Sequence, residues 1–444
     1  MKKLLITILS TILLVSMGTT NIFAEDEDVK NITTGELYAT LQDAIDSVDN
    51  GETIVILKDE ISYSTPITID NGKTFTIDFK DDGSTQHSFR WSDMEGTQKD
   101  KDIFTISNNS NVTVKDMQYK IGLGERGNRV FLVNSTGTLT LKGMICNSVD
   151  NIKDTPVRNT GGTVTIDGGD ITTDVVSETD FKPTNPIVQN LGGTTTIKGN
   201  GTYKTHNNFG AVWVGRDITM ADQSTDADRD SECGTVIIEN GTFNNGHIVD
   251  VNGKGTITIN NATYTSGNGP IIRTFHGGIK SNITINNITT SSTVFAQVIE
   301  ELQTKIDFRN GNVKYTPTRF CINQTGSAAM TSVSIKNGKF GPKTGTTEIH
   351  DEINNLLATG ATLTALTGDP GGYTYQVETV TPPPAPPTPP TPTPEPNPEP
   401  TPVYIIPNTG VEGTPTNNHS LLKLSSLSLL AIGTYMVIKK KKDN

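Results

Sequence analysis

An apolar residue recurs about every 25 residues through the middle of this 444-residue chain. Each recurrence ends a short segment in which aliphatic residues alternate with threonine, as in residues 138–141 and 163–166. These marker residues are Val114, Leu141, Ile166, Ile197, Ile238, Ile259, Ile285, Phe308 and Ile335. Alternation with period two predicts strands with aliphatic side chains on one face and threonines on the other. One such unit cannot bury a core alone, so the repeat predicts stacked units.

Two further positions recur in the same units. Five residues after the marker stand Tyr119, Cys146, Ile171, Phe243, Tyr264, Val313 and Phe340, with Tyr203 one residue late. Seven residues before the marker stand Asn134, Asn159, Asn190 and Asn252, each after a short apolar strand. Three strands per unit predict an all-β solenoid, a parallel β-helix with ~4.8 Å between strands and an asparagine ladder at one turn. The alternative is a β-sandwich, but sandwiches need about seven strands per ~100 residues.

Both ends of the repeat carry helical patterns that predict caps over the open strand edges. Residues 40–48 place four apolar side chains on one helical face after an N-cap threonine, Thr40. Those four are Leu41, Ala44, Ile45 and Val48. Residues 348–357 form a second apolar stripe with Ile349, Ile353, Leu356 and Leu357. Residues 361–379 are expected to add strands after it.

Composition limits the remaining choices. Hydrophobic residues make up only 33% of the chain, which argues against a thick globular core. Thirteen of the 23 prolines fall in residues 381–402, which predicts a polyproline II stalk on the order of 70 Å long. The net charge of -12 argues against nucleic-acid binding.

The N-terminus has the order of a secretory signal peptide. Lysines follow Met1, residues 4–15 are apolar, and a polar segment closes at Ala24, before the acidic run that begins at Glu25. Cleavage is therefore expected between Ala24 and Glu25.

The C-terminus has the order pentapeptide, apolar run at residues 421–438 and four lysines at 439–442. The pentapeptide is Ile406, Pro407, Asn408, Thr409 and Gly410. This segment resembles the Leu-Pro-x-Thr-Gly sorting signal of Gram-positive surface proteins, with isoleucine in place of leucine. The resemblance implies that a sortase cuts after Thr409 and joins it to peptidoglycan, so no permanent membrane span remains after processing. An ordinary membrane anchor is the alternative, although a lysine and serines interrupt the apolar run.

The helix that leads into residues 51–57 and the Gly-Thr-x-Thr-Ile units that follow support a second resemblance. Residues 36–345 resemble the pectate-lyase-like right-handed parallel β-helix proteins of Gram-positive surfaces. That resemblance implies a fold and little chemistry, since its members include lyases, hydrolases and non-catalytic adhesins. The expected divisions are a signal peptide (1–24), N-terminal cap (25–51), β-helix (52–345), C-terminal cap (346–380), proline-rich linker (381–402) and sorting signal (403–444).

The interval between Ile197 and Ile238 is 41 residues, longer than the others, and it contains an acidic insertion. Its alternating oxygen ligands, Asp226, Asp228, Asp230 and Glu232, are candidates for weak calcium binding. Ser231 and Ile237 stand where an EF-hand needs glycine and glutamate, so a solvated acidic loop is the alternative. No other cofactor is expected.

Single residues near the insertion also carry predictions. Trp213 and Arg216 form a candidate ligand patch. Cys146 and Cys321 occupy core positions, whereas Cys233 is expected to be accessible. Asp250 interrupts the apolar pattern, which indicates either a local register shift or a functional acid.

Function rests on these features. Glycoside hydrolysis needs two carboxylates up to roughly 10 Å apart, and the sequence shows no such pair, so no catalytic residue is predicted. The expectation is a wall-attached, non-catalytic adhesin that binds a carbohydrate, a host glycan or a matrix ligand. A surface-anchored polysaccharide lyase or glycoside hydrolase is one alternative, and a rigid spacer is another.

Overall fold

A computed structural model of the chain describes sixteen segments. They are residues 27–80, 85–92, 101–121, 129–146, 155–173, 186–205, 210–215, 232–244, 246–266, 271–274, 281–290, 296–298, 305–315, 321–323, 333–342 and 350–380. The predicted signal peptide, proline-rich linker and sorting signal lie outside them. In these segments no helix is both long enough and apolar enough to cross a membrane.

The described residues form strands joined by turns, with one short helix near each end. The first strands are β1 (Val29–Asn31), β2 (Leu37–Tyr38), β3 (Thr53–Ile56), β4 (Glu60–Tyr63), β5 (Ile67–Ile69), β6 (Thr74–Asp78), β7 (Ser88–Trp91), β8 (Asp102–Ile106), β9 (Asn111–Lys115), β10 (Gln118–Ile121), β11 (Arg129–Val133) and β12 (Thr138–Lys142). The next are β13 (Ile145–Cys146), β14 (Thr155–Asp167), β15 (Asp170–Thr172), β16 (Val188–Lys198), β17 (Thr202–Lys204), β18 (Gly210–Val214), β19 (Glu232–Ile238), β20 (Thr242–Asn244), β21 (His247–Val251), β22 (Lys254–Ile259) and β23 (Ala262–Ser266). The last are β24 (Ile272–Thr274), β25 (Asn282–Ile285), β26 (Ile288–Thr290), β27 (Ala296–Val298), β28 (Lys305–Phe308), β29 (Asn312–Tyr315), β30 (Cys321–Asn323), β31 (Val333–Ile335), β32 (Gly338–Pro342), β33 (Ala361–Ala365) and β34 (Tyr375–Thr379). The helices are α1 (Leu41–Ser47) and α2 (His350–Asn354).

From β3 to β32 the strands follow a three-strand cycle, and each pairs in parallel with its counterparts in the neighbouring coils, whereas β1 pairs with β2 and β3 in antiparallel fashion. The first stack runs β5, β8, β11, β14, β16, β18, β21, β24, β27 and β30. The second stack runs β3, β6, β9, β12, β14, β16, β19, β22, β25, β28 and β31. The third stack runs β4, β7, β10, β13, β15, β17, β20, β23, β26, β29 and β32. β14 and β16 are long strands that continue from the first stack into the second.

The marker residues lie in one column of the second stack. Each pairs with the next in register, from Val114 opposite Leu141 through to Phe308 opposite Ile335. All of them are buried in the core. Their alternation with threonine therefore specified both the inward face and the strand register, and the predicted all-β, parallel, β-helix-like fold is confirmed. The handedness of the coil stays a prediction.

The third stack also agrees with the sequence pattern. Tyr203 pairs with Phe243, and their ring centroids lie 5.2 Å apart inside the coil. Phe243 in turn pairs with Tyr264, which is fully buried. The rings of Tyr203 and Phe243 are tilted by 32° to each other, and such buried aromatic pairs contribute apolar burial along the coil axis.

The prediction of an asparagine ladder is confirmed for two of its four residues. Asn159 and Asn190 pair in register and bond through their side chains, Nδ2 to Oδ1, at 3.3 Å. Asn134 and Asn252 fall one residue past this column, because Val133 and Val251 occupy it. The bend from the first to the second stack is one residue shorter in β14 and β16 than in the coils of Asn134 and Asn252. Counting back from the marker therefore misaligned the two groups.

The N-terminal cap is present as predicted. Thr40 accepts a hydrogen bond from the Asp43 amide, and the four predicted apolar residues of the helix region are buried. The Gln42 side chain also bonds both backbone groups of Thr68, at 3.0 Å each. Gln42 thus occupies the position that another strand would take on the exposed edge of β5.

The C-terminal end is closed by α2 and by a hairpin. Ile353 and Leu356 are buried, and Leu357 bridges to Ile335 at the end of the second stack. Ile349 lies outside the described residues. β34 pairs with β32 in antiparallel fashion, and β33 pairs with β34, so the predicted extra strands are confirmed.

Candidate ligand-binding surface

The second stack presents a regular array of hydroxyl groups on the side opposite its buried aliphatics. We call this array the threonine face and define it by two outward positions on eight strands. The first column is Thr74, Asn111, Thr138, Thr163, Thr194, Thr235, Thr256 and Asn282. The second column is Thr76, Thr113, Thr140, Thr165, Thr196, Ile237, Thr258 and Thr284.

The side chains of the threonine face are half-buried or exposed. None of the sixteen carries a charge, although the whole chain has a net charge of -12. Strand spacing sets ~4.8 Å between neighbours in a column, and two residues along a strand span about 6.6 Å. The face therefore repeats in two directions over roughly 34 Å of the coil.

Charged side chains border the face on its first five strands, namely Asp78, Lys115, Lys142, Asp167 and Lys198, and four of them form two ion pairs. Lys115 bonds Asp78 at 3.2 Å, and Lys198 lies 3.9 Å from Asp167. These two pairs are partly exposed, so they contribute little stability, and three lysines against two aspartates leave the border with one excess positive charge.

A ladder of side-chain amides follows the face at the next turn. The amide ladder consists of Asn200, Asn240, Asn261 and Asn287. In each step Nδ2 of the later coil donates to Oδ1 of the earlier coil, at 3.0, 3.5 and 2.9 Å. Asn286 donates to Asn260 in the same direction at 2.6 Å. The turn that forms an exposed asparagine ladder is thus a different one from the turn that the sequence indicated.

The candidate calcium ligands give a limited result. Asp226, Asp228 and Asp230 lie outside the described residues. Glu232 begins β19 and is bonded to the Lys254 ammonium group on the next coil. Among the described residues, no group of three or more histidine, cysteine, aspartate or glutamate side chains is placed to hold a metal ion. Calcium binding stays a prediction.

Cys233 is buried, with 1% of its surface exposed, so the prediction of an accessible thiol was wrong. The reason is that β19 begins at Glu232, which makes Cys233 part of a strand rather than of the acidic insertion. Its Sγ packs against the backbone of Gly253, and its carbonyl accepts a bond from Asn190. Cys146 is buried as predicted. Cys321 begins β30, but the structure does not describe its side chain, so its burial stays a prediction.

Trp213 lies in β18 between Gln189 of β16 and Asp250 of β21. Only 4% of its surface is exposed, so its ring is packed within the fold rather than offered to solvent. Arg216 lies outside the described residues. The ligand patch that these two residues were expected to form stays a prediction.

Asp250 is the centre of a buried charge cluster. Its carboxylate accepts hydrogen bonds from Arg273 Nε at 3.1 Å, from Arg273 Nη2 at 2.7 Å and from the Gly210 amide at 2.7 Å. His247 Nδ1 lies 2.8 Å from Oδ1 of the same carboxylate. Asp250 has no exposed surface, and Arg273 has 11% of its side chain exposed. Alternation along β21 places Asp250 on the face opposite Val249 and Val251.

The pKa values of Asp250 and His247 are both lowered in this cluster. Burial by itself would raise the pKa of Asp250, but the charges and hydrogen bonds of His247 and Arg273 outweigh burial and lower that pKa. Burial lowers the pKa of His247, against the opposing effect of Asp250. With four donors on two oxygens, the Asp250 carboxylate is already satisfied within the protein.

The register shift inferred for Asp250 is confirmed. Nine residues before the marker, Val157 and Val188 lie in one column, whereas Asp250 pairs with Trp213 in the next column.

The chain matches no protein-family model, no curated protein sequence and no solved structure.

Proposed function

We propose that this chain is a cell-wall-attached surface protein that binds a polysaccharide along its threonine face without cleaving it. The observation that carries the proposal is the threonine face itself: thirteen threonines in two aligned columns on eight strands. A threonine hydroxyl donates one hydrogen bond and accepts others, and its methyl group contacts the apolar face of a sugar ring. A rigid sheet holds these groups in place before the ligand arrives, which lowers the entropic cost of binding.

The attachment to the wall rests on the sequence at both ends. The signal peptide that ends at Ala24 would export the chain, and a sortase would join Thr409 to peptidoglycan. The proline-rich linker between the cap and the sorting signal would hold the β-helix away from the wall. Replacing Thr409 with alanine is expected to shift the protein from the wall fraction to the membrane or the medium, and wall attachment that survives this change would overturn the sortase proposal.

An anchored polysaccharide lyase or glycoside hydrolase remains the alternative. Such an enzyme could use the charged cluster around Asp250, because residues distant in the sequence, Asp250 and Arg273, are brought together there from neighbouring coils. The four donors on Asp250 and its complete burial favour a role inside the protein over proton transfer to a sugar.

One experiment separates these possibilities. The mature chain, residues 25–409, is mixed with a panel of polysaccharides and glycoproteins, with and without calcium. Saturable binding without release of sugar ends is the expected result. Release of unsaturated or reducing ends would replace the binding function with an enzymatic one, and the absence of both would favour a rigid spacer.

A further inference from the structure

We propose that the threonine face binds a crystalline polysaccharide of N-acetylated sugars, a polymer of the chitin class. This inference rests on the proposed function and names the ligand of the same face. Its chains would lie across the coil, each along one strand, and would stack along the coil axis.

The first reason is the repeat distance. Parallel strands are spaced at about 4.7–4.9 Å because backbone N–H groups of one strand bond carbonyls of the next. In crystals of N-acetylated polysaccharides, the acetamido groups of stacked chains are joined by the same N–H to carbonyl bond. The spacing of chains in such a crystal is therefore close to the spacing of strands in this coil. Each strand of the face can therefore contact one sugar chain, and the offset between strands and sugar chains does not accumulate along the coil.

The second reason is the amide ladder beside the face. Asn240 bonds Asn200 at 3.0 Å and Asn287 bonds Asn261 at 2.9 Å, so primary amides already stack along the coil axis. The bonds all run in one direction, from a later coil to an earlier one. A stack of acetamido groups has the same donor and acceptor pattern and the same repeat. The ladder thus presents the hydrogen-bonding pattern of the polymer at the border of the face.

The third reason is charge. All sixteen positions of the face are neutral, and the charges bordering it pair at Asp78 with Lys115 and at Asp167 with Lys198. A neutral face matches a neutral polymer, and the single excess lysine charge of its border, from Lys142, is a weak counter-charge for an acidic polysaccharide. The net charge of -12 would also repel an acidic chain.

The number of rungs favours a solid over a single chain. A soluble oligosaccharide lying along one strand would meet two threonines, as at Thr138 and Thr140 or at Thr163 and Thr165. A crystal surface meets many rungs at once, and linked weak contacts raise the overall affinity by factors of about 10²–10⁴. Tight binding to the solid and weak binding to short oligomers are therefore expected together.

The test uses the mature chain and matched solids. Wild-type protein is titrated onto crystalline chitin, onto the same solid after deacetylation, and onto crystalline cellulose, whose chains carry no acetamido groups. The titration is run at moderate salt, because a deacetylated polymer is cationic and would attract the acidic chain. The expected result is affinity for chitin at least about tenfold higher than for the other two solids. Equal affinity for chitin and cellulose would overturn the inference.

A pair of variants locates the binding face. The face variant combines Thr140→Val, Thr165→Val and Thr196→Val, which removes three aligned hydroxyls and keeps β-branched side chains suited to strands. The control variant makes the same change at Thr202, Thr242 and Thr263, a single column on the third stack. The face variant is expected to lose chitin affinity about tenfold or more, and the control variant to keep it.

The outcomes separate the two proposals. Equal loss in both variants, or in neither, would overturn the inference. Strong binding of a different polysaccharide that depends on the face would overturn the inference and leave the proposed function standing. Binding to no polysaccharide would overturn both. If the face variant does not fold, the comparison of the three solids with wild-type protein still decides the matter.

Discussion

Asp250 and Arg273 lie on neighbouring coils, and the Arg273 guanidinium donates two hydrogen bonds to the Asp250 carboxylate, at 3.1 and 2.7 Å. The pair is buried, and His247 and the Gly210 amide complete its contacts. A buried ion pair can contribute little net stability relative to apolar packing, yet removing one partner leaves the other charge uncompensated. The cluster therefore ties together β18, β21 and β24.

Replacing Asp250 with asparagine should destabilise the β-helix by about 3–5 kcal/mol, because Arg273 would stay buried without its counter-charge. The measurement is the free energy of unfolding from urea denaturation of the mature chain. The control is Asp167→Asn, which breaks a half-exposed contact with Lys198 and should cost about 0–1 kcal/mol. Equal costs for the two variants would contradict the buried cluster.

The same cluster predicts that acid destabilises the fold. Burial lowers the pKa of His247 below its ordinary value of 6.5, so the unfolded chain takes up a proton that the folded chain does not. The stability that depends on His247 is therefore fully present above about pH 6.5 and is lost as the pH falls below that value. The pKa of Asp250 is also lowered, so its contribution is present above about pH 4 and is lost as the pH falls through the folded value.

Urea midpoints measured from pH 7.5 to pH 5 test the histidine part of this prediction. His247→Gln keeps a side-chain donor for Asp250 but cannot titrate. Its stability should vary less over this range than that of the wild type. The same slope in both proteins would show that His247 does not carry the pH dependence.

A third prediction concerns the bend between the first and second stacks. Gly193 has φ +68, and a Cβ there would lie 2.0 Å from the Gly162 carbonyl oxygen on the neighbouring coil. Gly168 has a similar φ of +71, but a Cβ there would meet nothing within 4 Å. Both alanine variants cost backbone strain, and only Gly193→Ala adds overpacking, worth about 1–3 kcal/mol more. Equal unfolding free energies for the two variants would rule out the tight approach of the coils.

The repeat could be predicted from the sequence because its signal is local. Alternation at Leu139 and Leu141 already specifies which face is inward, and a constant count to the next strand specifies the pairing. The same count failed where a bend changes length by one residue, as it did for Asn134 and Asn252. The two shorter bends do share a local signal, a Gly-Gly pair at residues 161–162 and 192–193 that the coils of Asn134 and Asn252 lack, but counting back from the marker did not use it. The structure supplies the reason for the pair, since the backbones of Gly162 and Gly193 approach each other too closely for a Cβ.

The charge cluster could not be predicted from the sequence, for a related reason. His247, Asp250 and Arg273 belong to no motif, and Gly210 contributes only a backbone amide. Their convergence depends on the pairing of three strands, two of which flank segments of variable length. The threonine face, in contrast, could be predicted from the alternation of threonine with aliphatic residues. That its sixteen positions are all uncharged, and that an amide ladder lies beside it, became clear only from the register of the strands.

A fourth prediction follows from the burial of Cys233. Cys146 and Cys233 have at most 1% of their surface exposed, so a thiol reagent should react with neither in the folded protein. The measurement is the labelling rate of a Cys321→Ser variant, which isolates these two thiols. Reaction should begin only at urea concentrations that unfold the chain. Rapid labelling of Cys233 under native conditions, located by peptide mapping, would place it in an accessible loop after all.

The N-terminal cap supports a fifth prediction, which concerns the open edge of β5. The Gln42 side chain bonds the Thr68 amide and carbonyl at 3.0 Å each, so it satisfies groups that would otherwise be free to pair with another chain. Gln42→Ala should lower the unfolding free energy by about 1–2 kcal/mol and increase light scattering at high protein concentration. Asp46→Ala is the control, because Asp46 bonds Gln42 at 2.8 Å without touching the strand. If the two variants aggregate equally, the glutamine does not protect the edge.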